Sequence, residues 1–259
     1  MSGAIELRDR LRRYYTTYYR DILAIPDWSV LVSLREEEER QERGRLERLR
    51  RVLGADTLSN RRILNIGCGT GGFNVAVGEA GARAVGVDAD AEAIAICALR
   101  REKRAGAFVR AAAERLPFPD GSFDVVYCFS AIEHVESVEA SVAEMARVTR
   151  AGGLIYVHTP NAWSWYEGHY KLLWAPFLPV WLGRFYLALR GRPSAYLATL
   201  RRLTPATLRR AFARAGIREL SFHDDEPPRE SVGPLRVPIG LYYRLSGVSP
   251  FIEVVARKR

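Results

Sequence analysis

A glycine-rich turn constrains this chain more than any other feature. The short apolar run Ile63-Leu64-Asn65-Ile66 passes directly into Gly67-Cys68-Gly69-Thr70-Gly71-Gly72, and a helix-like stretch follows to Ala80. Glycines let a backbone bend sharply and let a ligand lie against bare amides at a helix N-terminus. Asp88 ends the next apolar run, 21 residues after Gly67. A carboxylate there can accept both hydroxyls of a ribose, as acids do at strand ends of nucleotide-binding sheets. A strand, a tight turn, a helix and an acid-tipped strand together demand a parallel βαβ unit.

The same alternation continues downstream. Strands are expected at Ile63–Gly67, Ala84–Asp88, Phe108–Arg110, Phe123–Phe129 and Leu154–His158, with helices between them at Gly71–Ala80, Ala91–Lys103 and Ser137–Thr149. Alternating β and α elements of this length give a parallel sheet covered on both faces, and right-handed crossovers make it doubly wound and Rossmann-like. Upstream, residues 4 to 24 and 34 to 53 read as helices, the second carrying Glu and Arg at spacings of three and four. Downstream, Thr204-Pro205 reads as an N-cap with proline at the first helical position, opening a helix that Gly216 closes. Ile217–Phe222 and Phe251–Ala256 are the last strand candidates; the Pro/Gly-rich connection from Pro227 to Pro250 shows no helical pattern, so these two can pair antiparallel at the sheet edge. The expected organisation is an N-terminal helical cap (1–60), a cofactor-binding core (61–160), an aromatic and basic lid insertion (161–203) and a completion of the sheet (204–259).

Composition excludes some classes. With 48% hydrophobic and 27% charged residues, the chain is neither disordered, collagen-like nor coiled coil. Three cysteines without CxxC spacing argue against a disulfide framework or zinc site. The N-terminus has no apolar signal core and no window holds 18 uninterrupted apolar residues, so the expected compartment is the cytoplasm. Of the formal net charge of +9, +8 falls between Ala151 and Glu219, where ten basic residues face two acids. A local excess of this kind is either an anionic contact or a solvated helix face.

The glycines alone fit the dinucleotide pattern G-x-G-x-x-G at Gly67, Gly69 and Gly72. The motifs further along separate the readings. Ala112-Ala113-Glu114-Arg115-Leu116-Pro117-Phe118-Pro119-Asp120-Gly121-Ser122-Phe123-Asp124 precedes the fourth strand, Ala131-Ile132-Glu133-His134-Val135 follows it, and Val148-Thr149-Arg150-Ala151-Gly152-Gly153 leads into the fifth. In order and spacing from Arg61 to Asn161, the chain resembles the class I S-adenosylmethionine-dependent methyltransferases, in the branch with the quinone-biosynthesis enzymes. The resemblance implies a seven-stranded sheet with a reversed final strand and S-adenosylmethionine as co-substrate along the strands' carboxyl ends. By matching positions, Asn65, Gly67, Cys68, Gly69 and Gly71 would lie at the methionine part, Asp88 at the ribose and Ala89 near the adenine. Ala113 and Glu114 would border the adenine, with Phe129 and Ser130 beside the amino-acid end. Two positions depart from the family: Asn65 stands where an acid is usual, and Ala112 where an aspartate is common.

In S-adenosylmethionine the methyl is carried on a sulfonium and arrives activated, so the protein chiefly orients the acceptor and excludes water. A base is needed only where the acceptor must lose a proton. His134, after the fourth strand, is the candidate base; the alternative is a helix-start histidine that positions the loop. His169, in the aromatic insertion, is the candidate for a substrate role. His158 reads as a packed strand residue. The acid run of His223-Asp224-Asp225-Glu226 reads as solvated, and no metal site is expected.

Between Trp163 and Tyr196 stand ten aromatic residues, four of them tryptophans. The twelve-residue apolar run Leu172–Gly183 carries Pro176 and Pro179 and is too short and broken to span a bilayer. Tryptophan and tyrosine beside arginine are typical of segments lying in a membrane interface. Three readings compete for 163–190: a lid packed on its own sheet, a lid that also docks on a membrane, and a nucleic-acid groove, the last disfavoured by the leucines, prolines and scarce lysine. The leading function is O-methylation of a hydrophobic or lipid-linked small molecule, with the protein peripheral on the inner face of the membrane. The alternatives are a non-catalytic cofactor-binding accessory protein and an NAD-dependent oxidoreductase, which lacks a Tyr-x-x-x-Lys site here.

Overall fold

Runs such as Val125-Val126-Tyr127-Cys128 are apolar throughout, so a strand made of them is stable only with both faces covered. The computed structural model, which describes residues 2–54, 58–100, 106–176, 178–223 and 236–259, covers them in this way. Its strands are β1 (Arg62–Ile66), β2 (Arg83–Asp88), β3 (Ala107–Arg110), β4 (Phe123–Phe129), β5 (Thr149–Pro160), β6 (Tyr166–Glu167), β7 (Leu172–Leu173), β8 (Glu219–His223) and β9 (Phe251–Arg257). Seven of them form one sheet in the order β3-β2-β1-β4-β5-β9-β8, while β6 and β7 pair as a separate hairpin. The pairings among β1 to β5 are parallel, and β9 runs antiparallel to both β5 and β8. The expected doubly wound sheet with a reversed last strand is therefore observed. Its strand order turns back between β1 and β4, and a crevice opens at their carboxyl ends.

Side-chain alternation sorts the core into two layers. Leu64, Val126, Ile155 and Val254 face the cluster that holds Val142 and Met145 of α6 (Val138–Val148) and Leu208 and Phe212 of α8 (Pro205–Arg214). Their neighbours Ile63, Val125 and Tyr156 join the opposite cluster, with Leu46 and Leu49 of α3 (Glu38–Leu53) and Phe73 and Val77 of α4 (Gly72–Glu79). Arg48 clamps α3 to the sheet through two bonds to the buried Glu253 carboxylate, at 2.8 and 2.7 Å.

Three local expectations are corrected. The first helix is α-helical only as α1 (Ser2–Thr16) and widens into a π-helical turn at Thr17–Ile22. The second starts earlier, as α2 (Trp28–Glu36), and α3 follows after a break at Glu37. Between β8 and β9, where no helical pattern was read, stands a helix at Arg236–Ser246. Pro238 lies in its first turn, where the missing N–H costs no hydrogen bond, so the proline that suggested a loop is compatible with a helix start. The helix expected over Ala91–Lys103 is shorter: α5 (Ala91–Ala98) gives way to a turn at Leu99 and Arg100, and residues 101–103 lie outside the described residues.

The N-terminal helices and the insertion share a third cluster. Leu7, Leu11 and Tyr15, four residues apart on α1, pack with Tyr19 against Tyr170, Trp174 and Leu187. Leu187 belongs to a helix at Val180–Leu189, which is α7 in chain order, making the helix at Arg236–Ser246 α9. Two segments more than 150 residues apart in sequence thus roof the carboxyl edge of the sheet together.

Candidate active site

At the end of β1 the backbone turns through Gly67, Gly69 and Gly71, with φ of +68°, +51° and +85°. The turn does not offer the bare amides expected of it. The Gly67 and Cys68 N–H groups donate to the Val87 carbonyl at 2.8 and 3.0 Å, and the Gly69 N–H donates to Asp88 Oδ2 at 2.8 Å. Its glycines serve close packing instead: a Cβ on Gly67 would stand 2.2 Å from Ala131 Cβ. Only at Gly69 does the missing side chain open onto free space. A Cβ on Gly71 would meet Cys97 and Phe108 in the interior, so Gly71 is placed under the turn rather than on the cavity.

Above the turn lies a cavity of about 1020 Å³, bordered by Gly67, Gly69, Asp88, Ala89 and Ala113 at one end and by His134 and His169 at the other. Asp88 is fixed at its mouth, Oδ1 accepting from the Asp90 N–H at 2.9 Å. Burial pushes the Asp88 carboxyl up, against the pull of its backbone donors. Ser130, in a left-handed conformation at φ +49°, donates its N–H to His158 and also borders the cavity. Glu114 reaches the cavity, but its Oε1 accepts from the Glu136 and Ser137 N–H groups at 2.7 and 3.2 Å, where it caps the start of α6. That carboxylate is spent on the helix and leaves only the edge of the pocket to a ligand.

The remaining positions line a second, smaller cavity of about 160 Å³ behind the turn, among them Asn65, Cys68 and Phe129. Asn65 gives its amide to Asn74 Oδ1 at 2.7 Å. Phe129 is sandwiched, with His158 stacked at 4.1 Å on one ring and the Arg45 guanidinium 4.3 Å from its centroid. His158 is thus the packed strand residue expected. His223 ends β8, while Asp224, Asp225 and Glu226 lie outside the described residues.

The fold brings the two candidate catalytic histidines together. His134 ends the short 3₁₀ turn Ile132–His134 after β4; His169 stands between β6 and β7; their rings lie 5.1 Å apart. Between them sits Glu133, 2% exposed, with Oε1 4.0 Å from His134 Nε2 and 3.7 Å from His169 Nε2. Its Oε2 accepts from Thr159 Oγ1 at 2.9 Å, and His169 Nδ1 meets Glu167 Oε1 at 2.8 Å. Burial opposes a charge on His169, yet the Glu133 carboxylate 3.7 Å away and the bond to Glu167 outweigh burial and raise its pKa to about 10. Burial works in the other direction on His134, lowering its pKa against the attraction of Glu133, with cationic His169 adding to the depression. At neutral pH one ring is held cationic and its neighbour neutral. Glu133, His134 and His169 also offer ligand atoms within 4.8 Å of one another, a grouping that could hold a metal ion although the sequence suggested none.

Several residues at this edge were not identified from sequence. Tyr14 Oη donates to Asp90 Oδ2 at 2.8 Å, and the Tyr18 and Tyr196 hydroxyls meet at 2.9 Å beside the histidine pair. These tyrosines sit on remote segments with no local motif. Glu133 is different: it stands directly before His134 in Ile132-Glu133-His134, so the local sequence places an acid beside the histidine.

Comparison with known proteins agrees with this geometry. A family described as a methyltransferase domain matches residues 64–157, from β1 through most of β5. The chain is 32% identical over 154 residues to the demethylmenaquinone methyltransferase of Beutenbergia cavernae, covering 58% of this chain and 62% of that protein. It is 33% identical over 136 residues to the ubiquinone biosynthesis O-methyltransferase of Rhodopseudomonas palustris, covering 52% and 53%. The matched stretches span 36% to 62% of the curated relatives' length. Among solved structures, a SAM-dependent methyltransferase from Archaeoglobus fulgidus superposes with a TM-score of 0.55 at 20% identity, covering 87% of this chain and 98% of that one, a likeness of fold.

Proposed function

We infer the function from one premise: this chain belongs to the class I S-adenosylmethionine-dependent methyltransferases. On that premise we propose that it methylates a hydroxyl of a hydrophobic or lipid-linked small molecule. The residues present fit the co-substrate: a roomy cavity, a glycine whose missing side chain opens onto it, and a half-buried carboxylate at the end of β2. Asp88 would hold the ribose hydroxyls, with Ala89 and Ala113 against the adenine. S-adenosylmethionine supplies a methyl on a sulfonium, an electrophile that needs no further activation.

The chain's own contribution lies at the other end. His134, on the cavity and with its pKa lowered, would take the hydroxyl proton as the acceptor oxygen bonds to the methyl carbon and the carbon–sulfur bond breaks, leaving a neutral thioether. His169, held cationic by Glu133 and Glu167, favours the negative charge that develops on that oxygen. A second version has Glu133, His134 and His169 grip a divalent transition metal, and a loss of activity in chelator that Zn²⁺ or Fe²⁺ restores would favour it. The observation that carries the proposal is this pairing of two imidazoles, 5.1 Å apart, about a buried carboxylate, on the cavity that Asp88 also borders.

An apolar acceptor is supported by its surroundings. Trp174, Leu178, Leu197 and Leu203 line a pocket of about 80 Å³ against Glu133 and His169. Outside, Trp181, Phe185 and Leu189 of α7 are 71%, 58% and 70% exposed, in the stretch that holds nearly all the net positive charge. We take this face to rest on an anionic membrane surface, from which a lipid-linked acceptor would enter. Among the described residues no helix is long and apolar enough to cross a membrane.

The test is a search for a +14 Da product after incubating the chain with S-adenosylmethionine and lipid or metabolite extracts. His134→Ala is expected to lose at least about tenfold in turnover while keeping co-substrate affinity. Turnover unchanged in that variant would remove His134 as the base. Binding of S-adenosylmethionine with no +14 Da product in any extract would favour a cofactor-binding protein without the chemistry.

A further inference from the structure

The smaller cavity behind the glycine turn poses a charge problem that the turn itself does not solve. On one side it is walled by Asn65, Gly67 and Ser130, and on the other by the N-terminal helices, through Arg35, Glu38, Glu42 and Arg45. Most polar atoms there are already engaged. Glu38 accepts from Thr70 Oγ1 at 2.8 and 2.7 Å, from Tyr15 Oη at 3.1 Å and from the buried Arg100 guanidinium. Asn65 is tied to Asn74 and carries no charge. Two atoms in the wall are left over. Glu42, 4% exposed, uses Oε1 on Arg45 at 2.5 Å, but its Oε2 has no hydrogen-bond partner. Tyr127, 2% exposed, stacks its ring 4.0 Å from that of Phe73, and its hydroxyl is also without a partner.

Buried acceptors are rarely left empty, because each costs the desolvation of a polar group without return. A carboxylate oxygen and a hydroxyl left unpaired on two residues that line one small cavity suit a donor-rich cation better than an acceptor or an apolar group. A primary ammonium fits: three N–H donors, one positive charge and little volume. The methyl donor of the proposed reaction carries such a group on its amino-acid end, and its adenosine end is assigned to the adjoining cavity at Gly69 and Asp88.

Building on the methyltransferase reading, we propose that Glu42 of α3, assisted by the Tyr127 hydroxyl, is the acid that receives the α-ammonium of S-adenosylmethionine. The N-terminal cap thereby supplies the negative charge that β1, with Asn65, does not. Burial pushes the Glu42 carboxyl up, a cost that an arriving cation relieves. The cap is then part of the co-substrate site, and α3 closes over the amino-acid end while Tyr14 of α1 holds Asp90 at the adenosine end. The alternative occupant is ordered water, which would satisfy both atoms without selecting a ligand.

Calorimetry on the full chain distinguishes them, with three ligands: S-adenosylmethionine, S-adenosylhomocysteine and 5′-methylthioadenosine, which keeps the adenosine but lacks the amino-acid end. Glu42→Gln is expected to bind the first two at least about tenfold more weakly, the size of a lost charge-assisted hydrogen bond, and the third as the unaltered chain does. Tyr127→Phe removes one hydroxyl and keeps the stacked ring, so it tests the same point in a chain whose core is intact. Its expected loss is about threefold, again confined to the two ligands with an ammonium. If both variants hold S-adenosylmethionine as tightly as the unaltered chain, or weaken all three ligands equally, the assignment of Glu42 is overturned. Failure of the unaltered chain to bind any of the three overturns the methyltransferase reading itself.

Discussion

The two ends of the large cavity are built in opposite ways. At the end proposed for the adenosine, Gly67, Gly69, Asp88 and Ala89 come from one strand–turn–helix–strand unit of about two dozen residues, and the Gly69 N–H bonds directly to Asp88. At the end proposed for the acceptor, His134 comes from the loop after β4, His169 from the hairpin of the insertion, Tyr196 from beyond α7 and Tyr18 from the N-terminal helices. The first is local and rigid, since its geometry follows from backbone pairing. The second exists only when segments from three parts of the chain are packed together. A site divided in this way can keep its adenosine end constant while the acceptor end is rebuilt by changing a cap and an insertion.

The largest expected effect separates the ends outright. Asp88→Ala removes the carboxylate assigned to the ribose and frees the Gly69 amide, and it is expected to weaken S-adenosylmethionine binding by about 100-fold, since bonds to a charged group are worth about 1.5–3 kcal/mol each. Calorimetry checks it; an Asp88→Ala chain that binds as tightly as the original would detach the glycine turn from the function. His134→Ala, at the far end, is the counterpart: turnover falls about tenfold or more while the same titration is unchanged. If His134→Ala also lost the co-substrate, the two ends would be one cooperative structure and the comparison would fail.

The same division explains what the sequence could and could not disclose. The sheet was legible because apolar runs and helical stretches alternate, and Asp88 because it ends a run a fixed distance from the glycines. The amides of Gly67 and Cys68 were misjudged because their partner, the Val87 carbonyl, comes from the neighbouring strand. Glu114 does border the cavity, but its capping of α6 was not foreseen, because it depends on a loop path that spacing does not fix. Glu42 and the tyrosines of α1 were invisible as site residues, because on a charged or amphipathic helix nothing marks the side chains that will face a distant cavity. His134 and His169 were both named, but only the folded surroundings push them in opposite directions: burial lowers the pKa of His134, while Glu133 and Glu167 raise that of His169.

That assignment predicts a pH profile of intermediate size. His134 has a depressed pKa, so the neutral form needed to take a proton is lost only as pH falls below its ordinary value of about 6.5. Turnover should therefore hold through neutrality and fall about tenfold per unit on the acid side of that depressed value. His169 has a raised pKa, so its cation persists until pH climbs through about 10, where a second fall is expected. Stability follows the same signs. The contribution of His169 is complete below about pH 6.5 and disappears as pH rises towards 10, whereas that of His134 is present above about 6.5 and lost in acid. Glu133→Gln should bring the alkaline fall down towards neutrality, because the imidazolium then keeps only Glu167. A turnover profile with no acid limb would mean that His134 does not accept the proton.

The smallest effect on the folded chain, and the sharpest on the acceptor end alone, is expected from the outer face of α7. Trp174 and Trp181 both belong to the aromatic insertion, but they do unlike things. Trp174 is 8% exposed and packs on Tyr186, and a Cβ on Gly183 would stand 2.7 Å from its ring, so truncating it would open the shared core. Trp181 and Phe185, one helical turn apart, point into solvent. Trp181→Ala with Phe185→Ala should therefore leave unfolding within about 0.5 kcal/mol of the original and S-adenosylmethionine affinity unchanged. The same pair should lose most flotation with anionic liposomes at low salt, because the arginines alone give an attraction that salt screens. If flotation of the original chain is absent at low salt, or survives in the double variant, the aromatic face serves packing or a protein partner, and the acceptor end would have to be filled from water.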